Sequence, residues 1–406
     1  MGQRASILKR RILRRPSTLE ALRGSENLGG IDRLVESVER LPEAPKHQEL
    51  AFVSLGMIVF DDIEYPDKPK QSALGGENLW ATFGARLFRP RHKSTEVGCL
   101  VVSRRDHPYP IELSETLESW GVTTVFHTFC NYPINRAHVK YESQDSLRRT
   151  KEYETAPFKP AVRNLRDTVL LTAKSYHLSC VPREVLRQIA RLLDLRAQIG
   201  IKGRPFIVWQ PVFVRAAPVD PEDPEETSFE QNLKNYLHIL PMVDVFSLNY
   251  QELVELAAGP GAPPVSGERD VRGSVEMLLK RIPPPFIGAN GSGAMIIRCE
   301  PFGYYYRKSN QQGWVKAYSR YSVREPVVDF TGGGSAFMGA FTVAYLDHYN
   351  LRDCCRRGAV AASFAMAQFG FPVMTHTDPL PEDINDGEFW NNDKASNRFR
   401  LLCAID

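Results

Sequence analysis

The order of short β-branched runs and longer amphipathic ones constrains this chain more than any single motif. "ELAFVSLGMIVFDDI" (49–63) reads as a buried strand closing on acids, and "GGENLWATFGARLF" (75–88) as a helix opened by glycines. "VGCLVVS" (97–103) is a strand and "PIELSETLESWG" (110–121) a helix ending on Gly121. The alternation resumes with "TVLLTA" (168–173) as strand, the helix 182–200, the strand "PFIVWQP" (205–211) and the helix 228–240. The strand "VDVFSLN" (243–249) then runs into the helix "YQELVELAAG" (250–259). Such alternation predicts a mainly parallel sheet covered by helices on both faces. "PFIGANGSGAMIIRCE" and "GYYYRK" predict a strand pair, and the last third is mostly helical.

Two stretches interrupt the pattern. Residues 122–158 mix β-branched and aromatic strands with a charged loop, and with residues 62–74 they predict a small β lid projecting from the sheet edge. "APVDPEDPEETSFE" (217–230) is rich in proline and acid and predicts an exposed loop.

Composition bounds the rest. With 406 residues, 43% apolar, there is enough for one large core or two modest ones. Residues 46–406 are expected to form one α/β domain behind a basic tail, residues 1–45. A net charge of +3 offers no global attraction for nucleic acid. The seven scattered cysteines lack zinc-ligand spacing, which argues for reduced thiols in a cytoplasmic setting. No apolar run approaches the ~18–20 residues of a membrane span. In "MGQRASILKRRILRRPS", Gly2 and Ser6 fit an acylation pattern, and Lys9, Arg10, Arg11, Arg14 and Arg15 would supply a second membrane signal. The same stretch also reads as a mitochondrial presequence or a disordered tail, and it is the candidate for contact with a membrane surface.

The stretch "VVDFTGGGSAFMGAF" (327–341) carries the chemistry. A β-like run ends in Asp329, passes Thr331, turns through Gly332, Gly333 and Gly334, and opens an apolar helix. Backbone N–H groups of such glycines at a helix N-terminus would form an anion hole, helped by the helix dipole. Asn249 and Glu252 have the spacing of a reciprocal helix cap.

Taken together, these motifs resemble the ribokinase or pfkB-type carbohydrate kinase family. Gly56 followed by Asp61 is similar to its opening strand, whose aspartate binds sugar hydroxyls; Asp62 stands beside it as an alternative. Gly75 and Gly76 are similar to the Gly-Gly that opens the next helix against substrate, with Asn78 displaced from the usual asparagine. Asn249 and Glu252 fit N-x-x-E, through which Glu252 would organise Mg²⁺ indirectly, and Gly291 and Gly293 fall near the Gly-x-x-Gly beside the nucleotide. The glycine stretch, including Thr331, resembles D-T-x-G-A-G-D-x-F-x-G, and "RRGAVAASFAMAQFG" the small-residue helix by adenine. The resemblance implies a three-layer α/β/α sandwich with a β lid, ATP and Mg²⁺ as cofactors, a sugar-like substrate, and a homodimer through the lid.

Ser335 departs from that pattern, because the family places its aspartate base there. A serine is not basic at neutral pH, and losing a positioned base costs roughly 10²- to 10⁴-fold in rate. Gly333 for alanine, and Ser103 for the glycine before Asp106, depart as well; divergent fungal-type members share the Gly-Gly-Gly turn and "GARLF". Three functions stay open: an ATP- and Mg²⁺-dependent phosphotransferase of low or altered activity, a catalytically inactive ligand-binding regulator or scaffold, or an enzyme reusing the anion hole on an anionic metabolite. Asp329 would hold the turn or, with a substrate shift, act as the base. Arg136 would reach from the lid to an anionic substrate or stay solvated.

Overall fold

A computed structural model describes residues 49–104, 109–129, 134–143, 149–154, 156–212, 229–259, 267–281, 287–309, 311–318, 327–375 and 388–406. The basic N-terminal tail and most of the acidic segment 217–230 lie outside the described residues.

Nine strands form the main sheet. In chain order they are β1 (Phe52–Ser54), β4 (Val97–Arg104), β5 (Thr123–Phe129), β8 (Ser175–Cys180), β9 (Phe206–Pro211), β10 (Val245–Asn249), β11 (Ala294–Arg298), β12 (Tyr304–Lys308) and β13 (Gln311–Val315). The spatial order is β13-β12-β11-β10-β9-β8-β1-β4-β5. Pairing is parallel from β11 to β5 and antiparallel at β12 and β13. A second sheet has the order β3-β2-β6-β7, from β2 (Val59–Tyr65), β3 (Lys68–Gly75), β6 (Arg136–Tyr141) and β7 (Arg149–Tyr153).

Helices cover both faces of the main sheet. On one side pack α1 (Glu77–Leu87), α2 (Ile111–Trp120), α7 (Gly333–Leu346), α8 (Leu351–Met366) and α9 (Ala395–Ile405). On the other pack α3 (Pro182–Gln198), α4 (Phe229–Ile239), α5 (Tyr250–Ala258) and α6 (Glu268–Arg281). α1 and α7 meet through glycines: a Cβ on Gly84 would stand 1.9 Å from the Ala336 carbonyl oxygen, and one on Gly339 1.9 Å from that of Ala81. The "GARLF" segment is thus a close helix contact, and its Arg86 reaches the Arg89 carbonyl and, through paired hydrogen bonds, Glu388.

Several elements differ from the sequence expectation. The single strand expected over 49–63 is two strands in different sheets. The chain leaves β1 at Gly56, where a Cβ would meet the backbone nitrogen of Asn78 and Cβ of Glu77, each at 2.6 Å. "TVLLTA" contains a 3₁₀ turn, Val169–Thr172, and the strand is β8 just after it. The turn is held from outside, since Arg196 donates to the carbonyls of Leu171 at 2.6 Å and Ala173 at 2.8 Å. Residues 123–129 are the outer strand of the main sheet, paired with β4, so the second sheet begins later than the expected residue 122. β13 was not anticipated.

Five of the six described cysteines are buried and all six are free thiols. Among the described residues, no helix is long and apolar enough to cross a membrane.

Candidate functional site

The glycine turn is tied to its surroundings before it reaches α7. Val328 donates its N–H to the Met366 carbonyl at 2.8 Å, at the end of α8. Asp329, 1% exposed, accepts on Oδ1 from the Tyr65 hydroxyl at 3.0 Å, the Thr331 N–H at 3.1 Å and the Thr331 hydroxyl at 2.9 Å. Burial pushes this carboxyl upward and the donors oppose the shift. Asp329 therefore clamps the turn.

Gly332 caps α7 at φ 86°, and each of the three glycines faces a different neighbour. A Cβ on Gly332 would stand 2.2 Å from the Trp80 ring, one on Gly333 3.0 Å from the Met366 side chain, and one on Gly334 1.9 Å from Nη1 of Arg298. Among the described residues, the N–H groups of these three glycines enter no hydrogen bond; the first that does is that of Ser335, to the Gly332 carbonyl at 3.1 Å. They are the donors a helix leaves unsatisfied at its start. Ser335 sits on that first turn, 5% exposed.

Across from the turn are the C-terminal ends of β10 and β11, where Asn249 and Arg298 are partners in register. Asn249 and Glu252 form the reciprocal cap: the Asn249 side chain accepts from the Glu252 N–H at 2.7 Å, and Glu252 Oε2 accepts from the Asn249 N–H at 2.6 Å. The same Oε2 lies 3.5 Å from Arg298 Nη2. Arg298 donates from Nε to the Ser247 hydroxyl at 3.1 Å, while its buried Nη2 makes no hydrogen bond among the described residues. Burial pushes the Glu252 carboxyl up and the Arg298 guanidinium down, and their mutual attraction opposes both shifts. Glu300 stands beside them, its Oε2 3.6 Å from the Gly333 Cβ position, accepting from the Tyr304 hydroxyl. Burial pushes its carboxyl up to about 7.

Arg298 and Glu300 were missed by sequence reasoning. The available signal was a lone arginine closing an apolar run, followed two residues later by an acid. Gly291 and Gly293, expected beside the nucleotide, lie instead before β11, at the opposite end of the strand from Arg298. A Cβ on Gly293 would stand 2.6 Å from the carbonyl of Asp244, just before β10. These glycines turn the chain into the sheet, and parallel-sheet sites form at the other end.

The substrate-side residues meet in a narrow cleft between the second sheet, α1 and the glycine turn, closed too tightly here to admit a water molecule and lined by Asp61, Gly75, Trp80, Asp329 and Thr331 among others. The alternation of β2 separates the two acids. Asp61 faces inward, 1% exposed, with Oδ1 3.0 Å from Lys151 Nζ. Burial pushes its carboxyl up and Lys151 opposes this. Asp62 bonds instead to Ser72, to Arg136 at 2.8 Å and to Lys70 at 3.1 Å. Arg136 is thereby held away from the cleft. Asp62, His138 and Glu154 do bring three ligand-type atoms within 4.8 Å, but these two cations already occupy Asp62.

Gly75 presses on both walls of the cleft, its Cβ position 3.0 Å from Trp80 Nε1 and 3.3 Å from Asp61 Oδ2. The Trp80 N–H is buried and makes no hydrogen bond among the described residues. Gly76, at φ 95°, starts α1. Asn78 does not reach the cleft; its amide donates to the Leu100 carbonyl at 2.8 Å, inside the α1–β4 contact. The second sheet grips the turn through Tyr141, whose hydroxyl lies 3.0 Å from that of Thr331 and accepts from Arg149 at 2.7 Å. Tyr65 and Tyr141 stack at 4.4 Å.

These residues fit an anion at the glycine turn, where three N–H groups are unused. They fit a metal organised by Glu252 less well, because its Oε2 already carries both the cap and the contact with the Arg298 guanidinium, a cation that competes for the same carboxylate.

A three-layer α/β/α protein with a second β sheet over a helix N-terminal glycine turn is the ribokinase-like architecture. Ribokinase from Cryptococcus neoformans, solved with ADP, superposes with a TM-score of 0.56 over 80% of this chain and 96% of its own, at 16% identity. Residues 223–376 match the model of the pfkB family carbohydrate kinases. The structural likeness shows the ribokinase-like fold, and the match to the pfkB model covers the part of the chain that carries the glycine turn. It is 26% identical over 377 residues to an uncharacterized protein of Schizosaccharomyces pombe, covering 87% of this chain and 92% of that protein. It is 23% identical over 350 residues to MAK32 of Saccharomyces cerevisiae, covering 82% and 88%.

Proposed function

We propose that this chain binds a nucleotide or another phosphate ester at the glycine turn without transferring a phosphoryl group at an enzymic rate. The second reading of its sequence, an inactive ligand-binding member of a kinase family, is thereby preferred to the phosphotransferase. Support comes from the carboxylates around Ser335. Phosphoryl transfer to a hydroxyl needs a base within hydrogen-bond reach of the acceptor. Position 335 offers a hydroxyl, Asp329 is bound by three donors from Tyr65 and Thr331, and Asp61 is paired with Lys151. Binding is a different matter, since the unused N–H groups of Gly332, Gly333 and Gly334 suit an oxyanion. Trp80 adds an unbonded N–H and Asp61 an acceptor for a polar ligand in the cleft, which the β3-β2-β6-β7 sheet would cover as a lid.

The test pairs binding with turnover. ADP at millimolar concentration is expected to raise the melting temperature, because a ligand that binds only the native state stabilises it by RT ln(1 + [L]/Kd). The wild type is expected to show no ATP-dependent phosphorylation of a panel of sugars. Ser335→Asp is expected to gain measurable ATP hydrolysis or sugar phosphorylation. Wild-type turnover at ordinary kinase rates refutes the proposal, and so does the lack of any ADP shift.

A further inference from the structure

The glycine turn meets positive charge from two directions. One is the start of α7, 14 residues long, with its aligned peptide dipoles and the unused N–H groups of Gly332, Gly333 and Gly334. The other is Arg298, whose side chain is 8% exposed and whose Nη1 would touch a Cβ on Gly334 at 1.9 Å. A cation against a helix N-terminus is at the wrong end of the dipole. A guanidinium also carries five N–H donors, and burying them without acceptors is costly. Here, among the described residues, the guanidinium donates one hydrogen bond, from Nε to Ser247, Nη2 makes none, and Glu252 lies 3.5 Å away.

An anion between the turn and Arg298 would relieve both faults at once. It would accept from the glycine N–H groups on one side and from the guanidinium fork on the other, and the fork matches phosphate oxygens in pairs. Glu252, meanwhile, turns one oxygen, Oε2, to both the Asn249 N–H and Arg298, so the guanidinium already sits where a metal ion would have to compete for that carboxylate. We propose that Gly332, Gly333, Gly334 and Arg298 bind a phosphate group without a divalent metal ion, the guanidinium supplying the positive charge. This rests on the phosphate-binding function above and narrows it. Glu300, which accepts from Tyr304 on the same side, limits how much negative charge the site takes.

The experiment is titration calorimetry of the full chain with ADP and with inorganic phosphate, each in EDTA and in millimolar Mg²⁺. ADP is expected to bind in EDTA at least as tightly as in Mg²⁺. Arg298→Met is expected to weaken binding in EDTA by about 10- to 100-fold, the range for a lost charged hydrogen-bonding partner. Because that variant leaves Glu252 without its ion pair, Gly334→Ala serves as a second: it keeps the charge but displaces the guanidinium and should also weaken metal-free binding. Glu252→Gln keeps the cap, frees Arg298, and should tighten it several-fold, whereas a metal-organising Glu252 would lose binding on the same change. ADP binding that requires Mg²⁺ overturns the inference and leaves nucleotide binding standing; no binding of either probe in either buffer overturns both. Binding of inorganic phosphate as well as ADP supports a site for the phosphate group itself, and binding of ADP alone supports one that also needs the rest of the nucleotide.

Discussion

Replacing Gly332 and Gly334 separately by alanine should have very different consequences for stability, although the two are neighbours in one turn. At Gly332 two costs add. The backbone lies at φ 86°, ψ −20°, where a residue with a side chain is strained by about 1–3 kcal/mol. The new Cβ would also stand 2.2–2.4 Å from three atoms of the Trp80 ring, which is 3% exposed and packed against Phe83 and Phe371. Overpacking of this kind costs about 1–3 kcal/mol more. The sum, about 2–6 kcal/mol, is a large share of the ~5–15 kcal/mol that holds a typical domain. At Gly334 the clash is with the far end of the Arg298 side chain, which has rotamers to move into, and alanine in a helix gains roughly 0.5–1 kcal/mol over glycine. The net change there should fall within about 1 kcal/mol. Urea unfolding followed by tryptophan fluorescence measures both, provided the slope of the transition is unchanged. Gly332→Ala within 1 kcal/mol of wild type, or equal losses in the two variants, would refute this account of the turn.

Two buried groups set opposite pH dependences. His177, fully buried between Ser54 and Gln210, is pushed down to about 4 by burial. The unfolded chain therefore binds the proton first as pH falls from about 6.5 to 4, and stability should drop across that window by up to roughly 3 kcal/mol. His177→Gln should flatten the slope in urea midpoints; an unaltered slope would show that His177 is not the group responsible. Glu300, raised to about 7, favours its protonated form in the fold, so its contribution is complete below about 4.5 and is lost as pH rises through 7. Glu300→Gln should gain on wild type from pH 5 to 8, and parallel curves would exclude this effect. Among the described residues Arg86, 1% exposed, is the side chain that hydrogen-bonds the Glu388 carboxylate, so Arg86→Met should cost about 3–5 kcal/mol by leaving a mostly buried carboxylate unpaired. A loss under 1 kcal/mol would mean that Glu388 reaches solvent in the variant.

Much of the architecture was legible because its signals are local. The alternating runs imply the parallel sheet, since a parallel connection needs a crossover and a helix is the usual one. Asn249 and Glu252 cap α5 as their spacing predicts, because a capping box involves only four consecutive residues. Gly332 starts α7 at positive φ, where glycine belongs. The misreadings have equally physical causes. An apolar run such as 168–173 does not say whether it is extended or turned, because burial alone favours either. The break in 49–63 depends on what Gly56 packs against, and those atoms belong to the next helix.

By itself, then, the sequence determined the order of most elements, the glycine turn behind Asp329, and the serine at 335. The tertiary structure decided which charges surround that turn. Arg298 meets Gly334 from a different strand, Lys151 meets Asp61 from the far side of the second sheet, and Asn78 points into a helix–sheet contact away from the cleft. Hydrogen-bonding patterns within a helix cap repeat over a few residues, whereas the partner of a buried charge is chosen by how whole elements pack, and no local spacing encodes that choice.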